Sequence, residues 1–137
     1  MDKHGFPETV EEYIRLEGYR DLGHNHAFRF HSWRPDRALN PQYAGVADVG
    51  YFGCTVVHYK PDGSLCMGGI QFDTPGVRAV NAASKAHCLK VGIPYVGDPP
   101  HWQLISLHPL HVEPSLLCKM DKCGDHGFIR GGRWVPA

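Results

Sequence analysis

Near the end of the chain two cysteines and a histidine, Cys118, Cys123 and His126, fall within nine residues. Thiolate and imidazole are the ligands that zinc favours, four in a tetrahedron, and a short loop can supply two of them at low entropic cost. Cys123-Gly-Asp-His126 has the C-x2-H spacing of such a pair, with a glycine inside to relax the turn. Cys118 reaches the same ion if Lys119-Met-Asp-Lys122 folds back. The remaining ligand must come from elsewhere, and Cys88 is the choice, because the end of a helix followed by a loop can deliver a side chain inward. The expected zinc set is therefore Cys88, Cys118, Cys123 and His126, with His87, His111, Cys54 and His58 as other candidates for the fourth place. Cys54 and His58, four apart on a strand, lie on one face and keep a C-x3-H reading open. Cys54 and Cys66 themselves read as core filler facing one another on a hairpin.

Four protein ligands close the coordination sphere and make the ion structural, whereas a catalytic zinc keeps three and a water. Several thiolates lower the Lewis acidity of the ion, which tilts the expectation toward structure. A small peptidase- or amidase-like zinc hydrolase is the rival, with Cys123, His126 and one more ligand, and with Glu113 or Asp125 as base. Ser115, after Pro114, reads as a turn residue rather than a nucleophile. A metal-dependent nuclease would lean on His24, His26 and His31. The contiguous His24-Asn25-His26 is not the dispersed triplet of an HNH enzyme, and Lys plus Arg equals Asp plus Glu at 14 each, so nucleic acid is not an expected partner. Arg29, Arg34 and Arg37 make only a modest basic cluster.

The elements that must position these groups are short. Thr9 and Glu12 form a capping box that starts a helix, Val10, Tyr13, Ile14 and Leu16 give it an apolar face, and Gly18 stops it. His24–Trp33 alternates as a strand. Gly50–Tyr59 and Leu65–Asp73 flank Lys60-Pro-Asp-Gly-Ser64 as a hairpin, and Val77–Lys90 is a helix closed by Gly92 and Pro94. Trp102–Leu107 is a further strand, and Gly127–Val135 is a tight hairpin about Gly131-Gly132. His101, His108 and His111 fall among prolines as loop residues, His111 near the C-terminal cluster.

The 137 residues suit one domain, with 1–75 as a helix and hairpin region and 76–137 as a helix plus the metal-motif region. Sixteen glycines and eleven prolines favour turns and short strands, so the fold expected is α+β: small, β-rich, with hairpins, two short helices and a zinc-stapled C-terminal element. No apolar run is long enough to cross a bilayer, and the first residues do not lead into a signal-type apolar stretch, so a cytoplasmic location is expected. Five cysteines, an odd number, read as reduced thiols rather than a disulfide framework.

From Trp102-x-Leu104, through Pro114-Ser115, to Cys123-x2-His126-x2-Ile129-Arg130-x-Gly132-Arg133, the chain resembles a family of small bacterial and phage proteins of unknown function whose shared pattern ends in a zinc site. The resemblance spans about a quarter of the chain. It implies zinc and a compact β-rich fold, and no agreed activity. Family members carry a cysteine-rich knuckle before the tryptophan, where this chain has only His87-Cys88; Cys118 is an addition that can compensate. Residues 1–75 have no counterpart in it. The leading expectation is a phage-encoded zinc protein with a structural metal that presents loops to a host or phage protein.

Overall fold

The central hairpin sets the register on which everything else depends. Val49–Tyr59 (β3) is rich in β-branched and aromatic residues, and Leu65–Phe72 (β4) pairs with it despite the Gly68-Gly69 step. Between them the chain turns, with Lys60 N donating to Ser64 O at 2.8 Å and Ser64 N to Asp62 Oδ1 at 2.9 Å. The hairpin closes on Tyr59 opposite Leu65, so His58 is paired directly with Cys66, and Cys54 with Ile70. The expected facing of Cys54 and Cys66 is corrected by this register: opposed residues share a face, and the thiol of Cys66 stands beside an imidazole.

The computed structural model describes residues 1–137 and has the expected α+β, β-rich architecture. Helix α1 (Val10–Glu17) starts at Thr9, whose Oγ1 accepts from Glu12 N at 3.1 Å, and stops at Gly18 in the left-handed region. Val10 is its buried residue, while Leu16, expected on the same face, is exposed. Arg20–Gly23 (β1) and His26–Trp33 (β2) form a hairpin where only a strand over His24–Trp33 is expected. His24 and Asn25 have φ of 51° and 62°, the two-residue turn whose twist suits a hairpin, so the strand begins at His26. Helix α2 (Pro75–Val91), capped by Thr74 and Gly92, connects β4 to His101–Leu107 (β5). It packs through Val77 and Val80 against Phe52.

The first sheet has the order β1-β2-β3-β4-β5-β6, antiparallel except where β5 joins β4 in parallel over Gln71–Phe72. His108 lies in a turn as expected and His101 opens β5 instead of a loop, and strand β6 (Leu110–Glu113) is a correction to the loop expected around His111. Its residues alternate between buried and half-buried, but four residues between prolines give too short a pattern to read. Leu116–Leu117 (β7), His126–Arg130 (β8) and Arg133–Pro136 (β9) form a second, three-stranded sheet. It lies on the first, so that Leu22, Phe28, Cys54, Phe72, Leu110, Ile129 and Trp134 share one core. Gly132 N donates to Leu110 O at 2.8 Å and ties the sheets together. No helix is long and apolar enough to cross a membrane.

Candidate metal centre

Four side chains meet where the second sheet is laid on the central hairpin. His58 and Cys66 come from the facing strands β3 and β4, Cys118 follows β7, and Cys123 ends the loop before β8. Their ligand atoms all lie within 4.8 Å of one another. The loop closes on itself: Cys118 N donates to Asp125 O at 2.8 Å and Cys123 N to Met120 O at 3.1 Å. Lys122 and Gly124, with φ of 57° and 72°, make the reversals that return Cys123 to the level of Cys118.

The spacing within the group is that of a coordination sphere. Sγ of Cys66 and of Cys118 are 3.5 Å apart, and His58 Nε2 is 3.3 Å from Cys123 Sγ. A tetrahedron with ordinary zinc–sulfur and zinc–nitrogen bonds places such atoms about 3.8 Å and about 3.6 Å apart. All five cysteines are free thiols. Burial, reinforced by the neighbouring thiols of Cys118 and Cys123, pushes the Cys66 thiol up to about 12. Three thiolates can coexist at this point only around a cation, which displaces their protons. His58 is 4% exposed, and burial, opposed by Asp125 and reinforced by His26, lowers its pKa, leaving the neutral ring that ligates metals. Its Nδ1 has no hydrogen-bond partner. Nε2, set against a thiol, is the nitrogen placed to face an ion, whereas Nδ1 stays unpaired with or without one.

A second group adjoins the first. His26 Nε2 lies 2.6 Å from Asp125 Oδ2, and its Nδ1 lies 2.6 Å from the carbonyl oxygen of His24 in the β1–β2 turn. A carbonyl and a carboxylate only accept, so both ring nitrogens face acceptors. Asp125 Oδ2 is also 3.9 Å from His58 Nε2, and His26, His58 and Asp125 form a second set with ligand atoms within 4.8 Å. The ring of His26 is stacked on Trp134 at 3.9 Å between centroids. Gly127 makes that possible, since a Cβ there would meet the Trp134 indole at 2.5 Å.

Cys118 and Cys123, from the expected set, are brought together; Cys88 and His126 are not part of either group. Cys88 rides the last turn of α2, whose buried residues belong to a separate small core on Phe52. His126 opens β8, where Gly127 and Ile129 face inward, so alternation turns His126 outward with Phe128 and Arg130. There its Nε2 meets Ser115 Oγ at 2.9 Å. Glu113 is held by His111 at 3.1 Å and Arg130 at 3.2 Å, apart from both groups, whereas Asp125 lies in the second. Of the other candidates, His87 lies beside Lys90 on α2, Cys54 is core, and His111 pairs with Glu113. His24 sits in the turn, and His31 packs near Phe52, so the three histidines of a nuclease do not converge. His58, one of the candidates for the fourth place, does join the cluster, Cys66 joins it after being expected as core, and His26, expected only for a nuclease, lies in the adjoining group. The signal for the first two was the hairpin, because a closing pair at Tyr59–Leu65 obliges the next pair inward to be His58–Cys66. No known protein family, curated protein or solved structure matches the chain.

Proposed function

We infer that the protein is a zinc-binding scaffold whose ion is structural, held by His58, Cys66, Cys118 and Cys123. The observation that carries this reading is the convergence of three thiols and a neutral imidazole from two distant parts of the chain on one point. Four protein ligands leave no position for a reacting group, and a set rich in sulfur is that of a structural site. Binding energy on the order of 10 kcal/mol then becomes folding energy. The ion would staple the second sheet to the central hairpin. The role inferred for the scaffold is protein binding, with a host or phage protein as partner, in keeping with the resemblance of the C-terminal motif to a phage and bacterial family. Leu117, 52% exposed and lining the cleft beside the cluster, supports a contact surface there.

The test is metal content by plasma emission on protein purified without a histidine tag, followed by X-ray absorption at the zinc edge. One zinc per chain with three sulfurs and one nitrogen is expected, and Cys66→Ser should lose the ion. Folded protein free of zinc with freely alkylated Cys66, Cys118 and Cys123 would refute the reading. A hydrolytic reading draws on the second set, His26, His58 and Asp125, two imidazoles and a carboxylate that could leave open positions on an ion. An absorption spectrum dominated by nitrogen and oxygen, unaffected by Cys66→Ser, would favour it.

A further inference from the structure

A cleft of about 100 Å³ opens beside the four-ligand cluster, and its origin is a missing side chain. On β4, Gly68 is paired with Val56, between the pairs His58–Cys66 and Cys54–Ile70. A Cβ at Gly68 would meet nothing within 4 Å, so the sheet surface has a gap there. Trp102, Leu116, Leu117 and Trp134 wall the gap, and His58, Cys118 and Asp125 form its polar end. The volume suits one unbranched side chain and falls well short of the several hundred Å³ of an ordinary small-molecule pocket.

The charge at the polar end selects what can enter. No lysine or arginine lines the cleft. A dication bound by three thiolates and a neutral imidazole carries a net negative charge. Asp125, held by His26 at 2.6 Å through Oδ2, leaves Oδ1 as a further acceptor. Aromatic and aliphatic walls leading to an anionic end match a group with an apolar stem and a compact cationic head. The backbone beside the cleft selects how it is presented. Strand β4 is paired to β3 over Leu65–Gln71, but β5 joins its other edge only at Gln71 and Phe72. The outer edge of Cys66–Ile70 therefore offers unpaired backbone groups, and Gly68 and Gly69 let another backbone approach closely.

We propose that this cleft, at the open edge of β4 beside the metal cluster, receives a lysine side chain carried on an extended segment of a partner protein, which adds as a strand to that edge. The proposal rests on the structural-zinc reading, since the occupied cluster supplies the negative charge. It is tested with zinc-loaded protein and a short peptide of alternating valine and threonine around a central lysine, followed by nuclear magnetic resonance. Peptide addition should shift Gly68, Gly69 and the Trp102 indole N–H. Norleucine, arginine or acetyl-lysine in the central position should bind at least about tenfold more weakly, a difference that a lost charge or a misfitting head accounts for. Gly68→Leu should fill the cleft and abolish binding with zinc content unchanged. Equal binding of the lysine and norleucine peptides, binding that survives Gly68→Leu, or no shifts at these positions would each overturn it. Free lysine amide binding as tightly as the peptide would also overturn it, by removing the strand. Protein that holds zinc and fails these tests refutes the pocket alone, whereas protein without zinc refutes the reading beneath it.

Discussion

At the scale of single residues, the five thiols divide by environment rather than by spacing. Cys54 is wholly buried, and burial raises its thiol from 9.0 to about 12. The unfolded chain releases that proton from pH 9 upward while the folded chain keeps it. Stability is thus full below pH 9 and is lost as the pH climbs toward 12, by up to about 4 kcal/mol. Urea unfolding across this alkaline range should show the loss in the native protein and a flatter profile in Cys54→Ala. Cys88→Ser, by contrast, should leave metal content and stability unchanged, where Cys118→Ser and Cys123→Ser release the ion. Cys118 and Cys123 are legible as members of the cluster because their loop has a recognisable spacing. Cys66 reads as core and His58 as only one of several candidates for the fourth place, since a cysteine and a histidine among β-formers look like core until the register is fixed. His126 illustrates the opposite difficulty: its C-x2-H spacing is right, but as the first residue of β8, next to the inward-facing Gly127, it is turned outward by alternation.

At the scale of elements, the hairpins do the positioning and the helices contribute little to the site. The His24-Asn25 turn places a carbonyl 2.6 Å from His26, and the β8–β9 hairpin lays Trp134 over the same ring. Gly127→Ala should push the indole off His26 and destabilise the protein by about 1–3 kcal/mol, the usual range for overpacking a filled core. Denaturant unfolding gives the loss, and a change in tryptophan emission in the folded state identifies its cause. Helix boundaries and the central hairpin were readable from caps, glycines and the Pro-Asp-Gly turn. Strands β1, β6 and β7 were not, because segments of two to four residues carry no period of their own and exist through their neighbours.

At the scale of the whole molecule, one core joins residues from Leu22 to Trp134, yet the last three strands touch the rest through few large side chains. Chelation should therefore act unevenly. Hydrogen exchange after zinc removal is expected to rise most in β7–β9 and the loop from Cys118 to Asp125, and least in β2–β3–β4; uniform acceleration would show that the ion does not hold the sheets together. The balanced charge, with a pI near 7.1, offers no long-range field to draw a partner in, so recognition falls to local contacts. One topological fact has a temporal side. Cys66 and Cys118 stand 52 positions apart, and the ribosome delivers the first well before the second. At synthesis rates of about 5–20 residues per second, His58 and Cys66 wait for several seconds as an exposed half-nest on a nascent hairpin. On the structural-zinc reading, the redox state and ion supply of the surroundings in that interval, rather than the finished fold, decide whether the pair is kept fit for capture.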